Sequence, residues 1–282
     1  DPLWSRGLGD VYKRQLLAFI SMPFLMAQQG TRFIYQVSMT LDSTNAEKKT
    51  ELAYLDSDGK KSFFYAENTL KRDSIMDRMR TTRNFDRTQL QNLRSNINFT
   101  IEKDLSNQSL VYKSRIGRDQ YSYNENPSLS WKILPETVKI GDFKTQKAET
   151  TFGGRTWYAW FTPEIPLQDG PYKFSGLPGL IVKVQDSKGD YSFDLMQTKK
   201  IADVQQPQVR GQFINIPKNK YMDMEKKFQK DPASFISAQR NSGGAPGGPG
   251  GNRPGMDPKQ MQEMQKRMEA EIKSRNNPIE LK

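Results

Sequence analysis

The stretch TWYAWFTPEIPLQDGPYKFSGLPGLIVKVQDSKGDYSFDLM occupies residues 156–196, and its reading decides the fold. Residues 156–162, 180–186 and 191–196 are dense in aromatic and β-branched side chains, as strands require. Ser187, Lys188, Gly189 and Asp190 separate the last two as a natural hairpin turn. A strand alternates its side chains between two faces. Trp157, Ala159 and Phe161 therefore share one face of the first strand, and Tyr158, Trp160 and Thr162 the other. One face fills a core. The other packs under a loop or lines a groove for lipid, peptide or sugar.

Working outward, residues 144–152 read as a strand just before this stretch. Upstream, residues 32–40, 51–56, 61–66, 98–103, 110–116 and 120–124 read the same way. Ser57, Asp58 and Gly59 supply a tight turn between two of them. Asp56, Asp58 and Glu67 also fall at the first, third and twelfth places of a calcium loop. Lys60 and Lys61 take its fifth and sixth places, where a ligand and a glycine are needed, so the hairpin is the better reading. Residues 70–93 are charged and carry a broken helical stripe, and residues 222–228 begin a basic amphipathic helix. Successive strands with short connections predict an antiparallel meander. The expected fold is α+β: an antiparallel, β-dominated curved sheet or open barrel with peripheral helices, whose concave face could hold an apolar ligand.

Two absences narrow the chemistry. The 282 residues include no Cys and no His. That removes thiolate nucleophiles, disulfides, histidine general bases and the usual zinc sites. No catalytic residue, metal site or cofactor is expected. The net charge is +11, from 43 basic and 32 acidic residues. The densest basic run, residues 71–94, is interrupted by Asp73, Asp77 and Asp86, so no continuous stripe for nucleic acid is expected.

Residues 16–27, LLAFISMPFLMA, have the length of a secretory apolar segment and are too short to span a bilayer, which takes about 20 residues. Cleavage is expected near Ala27. Residues 1–15 resemble a translated sequencing-adapter junction. No later segment reads as a membrane span, so the mature chain is expected in the periplasm or outside the cell. Residues 28–241 form the expected β-rich domain. Residues 242–256 are rich in Gly and Pro and read as a linker, and residues 257–282 as a helix and tail. Met261, Met264, Met268 and Ile272 recur at three- and four-residue steps on one face of that helix. Docking on the sheet or on a partner explains this spacing more cheaply than thioether ligation of copper(I).

Gly176-Leu177-Pro178-Gly179-Leu180-Ile181 reads as a turn feeding an apolar strand. The glycines admit backbone conformations closed to other residues and the proline fixes φ. A structural turn that sets register is one reading; a rim where the backbone meets a ligand is the other. No phosphate loop is present, because the Lys-Ser/Thr pair is missing. These six residues spell GLPGLI, and the chain resembles the GLPGLI family of Bacteroidetes over residues 131–195 and in the terminal NNPIEL. The resemblance implies an exported protein of uncharacterised role, often encoded near outer-membrane receptors, and supplies no catalytic residue. The chain departs from many members at Thr145, where they carry Cys.

The expected function is that of an exported, non-catalytic envelope protein, a binding or assembly factor linked to outer-membrane proteins or to an apolar ligand. Trp131, Trp157, Tyr158, Trp160 and Tyr172 are the candidate groove residues. The alternative is a carboxylate-dependent hydrolase acting on glycans, with Glu136, Glu164 and Asp169 as its acids.

Overall fold

A computed structural model describes residues 30–84, 86, 88–91, 93–207, 211–241 and 258–281. The expected adapter, signal segment and linker lie outside these residues. The chain begins with β1 (Gly30–Met39), β2 (Lys49–Ser57) and β3 (Lys61–Ala66), followed by α1 (Glu67–Thr82) and α2 (Thr88–Gln91). Strands resume with β4 (Phe99–Asp104), β5 (Ser109–Ile116), β6 (Asp119–Glu125), β7 (Lys132–Ile140), β8 (Phe143–Phe152) and β9 (Arg155–Thr162). They end with β10 (Leu180–Asp186), β11 (Tyr191–Ile201) and β12 (Phe213–Asn215). The last helices are α3 (Lys218–Lys230), α4 (Pro232–Asn241) and α5 (Pro258–Lys273).

The strands join in one sheet, in the order β12-β6-β5-β4-β3-β2-β1-β11-β10-β9-β8-β7. Two meanders meet where β1 pairs antiparallel with β11. Every named pairing is antiparallel except that of β12 with β6. Register shifts interrupt β1 at Ile34/Tyr35 and β10 at Ile181/Lys183, and such irregularities bend a sheet. The bend brings distant strands together. The Lys173 ammonium reaches Glu125 at the end of β6 and sits 5.9 Å from the ring of Phe152 at the end of β8. The fold is thus a single β-dominated sheet, strongly curved, with helices at its periphery.

The inner face follows the alternation in the sequence. Phe33, Tyr35 and Val37 of β1, Trp157, Ala159 and Phe161 of β9, and Val182 and Val184 of β10 are buried there. The chain itself fills the centre of the concave face. Residues 163–179, which join β9 to β10, send Asp169, Tyr172, Lys173, Phe174 and Leu177 into the core, each at most 2% exposed.

Some elements were not legible in advance. β7 carries Pro135 and is exposed along most of its length, as an edge strand tolerates. β12 is three residues long and α4 lacks a strong stripe. β11 runs five residues past Met196 through a polar, exposed end held by pairing with β1. Among the described residues, no helix is long and apolar enough to cross a membrane.

Candidate functional site

A cavity of about 480 Å³ lies at one end of the concave face. Its floor is Val37 and Met39 of β1, Tyr112 of β5 and Phe193 of β11, with Phe99 of β4 at the side. Its roof is Glu225 and Phe228 of α3, Met268 and Ile272 of α5, and Ile279 of the tail. The lining is more apolar than polar, and apolar walls with placed polar groups are the usual constitution of a small-molecule pocket. Arg115 and Arg275 are among its polar lining groups. Arg275 is tied to Glu271 at 3.0 Å and to Asn96 at 3.3 Å.

Glu225 is the unusual lining group. Among the described residues its carboxyl has no hydrogen bond or ion pair. Burial pushes its pKa up, and the nearby charge of Glu280 pushes the same way. Lys173 opposes this but is already engaged, with Glu125 at 2.7 Å, Glu280 at 2.6 Å and the Tyr123 hydroxyl at 3.0 Å. Around these charges stand Tyr112, Tyr123, Tyr172 and Tyr221, and burial raises all four phenols. Stacked rings hold them in place, with Tyr112 and Tyr123 centroids 4.9 Å apart. Lys218 joins from α3. Burial works against its charge, but Glu125 and Glu280 outweigh burial and raise its pKa.

A second buried pair lies deeper. Lys103 of β4 contacts Asp169 and donates to the Gly170 carbonyl at 2.6 Å. Burial lowers the Lys103 pKa, and Asp169 works against that.

The five aromatic candidates do not line one groove. Trp157 is wholly buried and donates its indole N–H to the Phe152 carbonyl at 3.0 Å. Tyr172 is buried with its hydroxyl on Glu280. Trp131 is half-buried beside Phe174 and donates to the Ser175 carbonyl at 2.8 Å. Tyr158 and Trp160 stand half-buried on the opposite face, both beneath the Lys147 ammonium, 4.7 and 5.8 Å from the two rings.

In the Gly176–Ile181 turn, Leu177, Leu180 and Ile181 are buried and Pro178 is exposed. Gly179 has φ of +147°, and a Cβ there would meet the Thr162 carbonyl oxygen at 2.1 Å. Only glycine fits this close approach. Gly176 has φ of +88° and open space around it.

Met268 and Ile272 reach the cavity, so α5 docks on its own domain at that point. Met261 and Met264 precede them on α5, and their side chains lie outside the described residues. The three carboxylates weighed for hydrolysis are separated by environment. Glu164 accepts the Lys144 backbone N–H at 3.1 Å, Asp169 is buried on Lys103, and Glu136 is exposed on β7. Asp56 of the would-be calcium loop is bound by Arg32 at 2.7 Å, and Glu67 by Tyr54 at 2.6 Å. Among the described residues, no group of acids is placed to hold a metal ion.

Comparison with known proteins adds little beyond the fold. The model of a family described as "Protein of unknown function (Porph_ging)" matches residues 153–183, which include the Gly176–Ile181 turn. No curated protein matches the chain. Two crystal structures of PNGF-II, in the C2 and P21 space groups, are similar at a TM-score of 0.52 and 17% identity. Each match covers 71% of this chain, and 33% and 34% of the two PNGF-II chains. The chain thus spans about a third of the length of PNGF-II, and at this identity the likeness speaks for the fold alone.

Proposed function

We propose that this chain is an exported, non-catalytic binding protein of the GLPGLI type, holding an apolar ligand in the cavity between the concave face, α3 and α5. The observation that carries the reading is the cavity's lining. Val37, Met39, Phe99, Phe193, Phe228 and Ile272 line a cavity of about 480 Å³ whose surface is more apolar than polar, with Glu225, Arg115 and Arg275 among its polar groups. Such a site rewards the removal of apolar surface from water and fixes orientation through few polar contacts.

Export rests on the apolar run at residues 16–27, and the periplasm or the cell exterior is the proposed location. Service to an outer-membrane protein, as carrier or assembly factor, is the role proposed for the loaded chain. Solvent extraction of the chain purified from a bacterial envelope tests the binding reading. One equivalent of an apolar compound, identified by mass spectrometry, is the expected result. A chain that comes out empty, and stays empty when incubated with extracted envelope lipid, contradicts it.

A further inference from the structure

The segment Asn277–Leu281 is held as a bound peptide is held. Its backbone and side chains are read by groups far away in sequence. The Asn277 side chain donates to the Thr40 carbonyl at 2.8 Å and accepts from Arg155. The same guanidinium donates to the Pro278 carbonyl at 2.9 Å. The Tyr191 hydroxyl donates to the Asn277 carbonyl, and the Leu281 N–H donates to the Gly153 carbonyl at 2.6 Å. Glu280 enters a buried site shared with Glu125, 2.6 Å from Lys173 and bonded by the Tyr172 hydroxyl.

The receiving groups are built in. Arg155 is 5% exposed and is held by Asp186 at 2.9 Å and Asp190 at 3.0 Å. Lys173 is fully buried. Tyr172 sits at φ of +53°, a strained conformation for a non-glycine residue that persists only where its surroundings fix it. Pro278 lacks an N–H and needs no acceptor partner. The groove therefore reads the asparagine and glutamate side chains and the backbone carbonyl of the proline between them.

We propose that this groove is a peptide-recognition site for an Asn-Pro-x-Glu segment, filled in cis by the chain's own tail and open in trans to the tail of a second copy. The occupant follows from the chain's length. Sixteen residues, 242–257, connect α4 to α5. At full extension they span on the order of 50 Å, enough to carry α5 and the tail to a neighbouring molecule. Every tail contact is the same in either arrangement, so local concentration decides between them. The proposal stands on the tail's contacts; Asn277, Pro278 and Ile279 also line the cavity, so a second copy's tail would complete the cavity as the chain's own tail does.

Two variants of the chain spanning residues 28–282 test it. One carries Asn277→Ala and Glu280→Ala, giving an open groove and a poor tail. The other carries Arg155→Lys and Lys173→Met, giving a poor groove and an intact tail. Each alone is expected to be monomeric by light scattering, and their mixture to form a one-to-one dimer. A fluorescein-labelled peptide of residues 276–282 should bind the first variant at least ten-fold more tightly than it binds the unaltered chain. Two folded variants that stay monomeric when mixed overturn the proposal, whether or not the peptide binds. Should either variant fail to fold, an unaltered chain with a protease site inserted between Gly250 and Gly251 gives the answer. After cleavage, a labelled peptide of residues 258–282 should replace the resident fragment. A folded, cleaved chain that admits none of it overturns the proposal.

Discussion

The Lys173 ammonium lies 2.6 Å from the Glu280 carboxylate, joining the loop that fills the concave face to the last described turn of the chain. Lys173 is fully buried and also holds Glu125 of β6, so one cation ties three parts of the sequence together. A buried charge is tolerated only when paired, and removing one partner leaves the other uncompensated.

Lys173→Met should therefore cost about 3–5 kcal/mol in urea unfolding, the usual penalty for orphaning a buried charge. Adding Glu280→Gln to that variant should recover part of the loss, because one stranded carboxylate is removed. A loss below about 1 kcal/mol would mean that the network is solvated.

Gly179→Ala and Gly176→Ala should differ. At Gly179 the added methyl meets backbone at 2.1 Å, so the turn must open and stability falls by more than about 3 kcal/mol. At Gly176 there is room, and only the positive φ is penalised, at about 1 kcal/mol. Thermal unfolding of the two variants checks the order.

The strands were legible because alternation and β-branching are local signals. Trp157, Ala159 and Phe161 announced an inward face at steps of two residues, and the structure buries all three. β7 was not legible, since Ile133 and Val138 are exposed on an edge and lack the buried alternation that betrays a strand. The site was less legible still. Lys173 lies among the aromatics of PYKF, and nothing local tells a buried lysine from a solvated one. Its partners Glu125 and Glu280 are 48 and 107 residues away. Asn277 and Pro278 drew notice only as part of a familiar ending. Their role depends on Arg155, which only folding brings near.

Glu225 gives a pH dependence of known sign. Burial first, and the Glu280 charge second, raise its folded pKa above the ordinary 4.5. Between the unfolded and the folded value the native state binds more protons, so stability falls as pH rises through that window. Glu225→Gln has no charge to bury. It should stabilise the chain at pH 7 and leave it nearly unchanged below about pH 4, as read by denaturant midpoints at both values.

Glu125 acts in the opposite direction. Burial alone would raise its pKa, but Lys173 and Lys218 outweigh burial and hold it below 4.5. Its stabilisation is present above the unfolded value and is lost as pH falls through the folded one. Glu125→Gln should therefore lower stability at pH 7 and flatten the acid limb of the stability profile.

The most direct test of the central claim is a titration of the delipidated chain, residues 28–282, with a dansyl-labelled fatty acid, beside the variant Ile272→Trp. Ile272 lines the cavity from α5, so the larger ring fills ligand space while leaving the sheet alone. The account predicts saturable binding at one probe per chain, weakened at least ten-fold in the variant at unchanged melting temperature. Absence of saturable binding, or equal affinity in the two proteins, would contradict it.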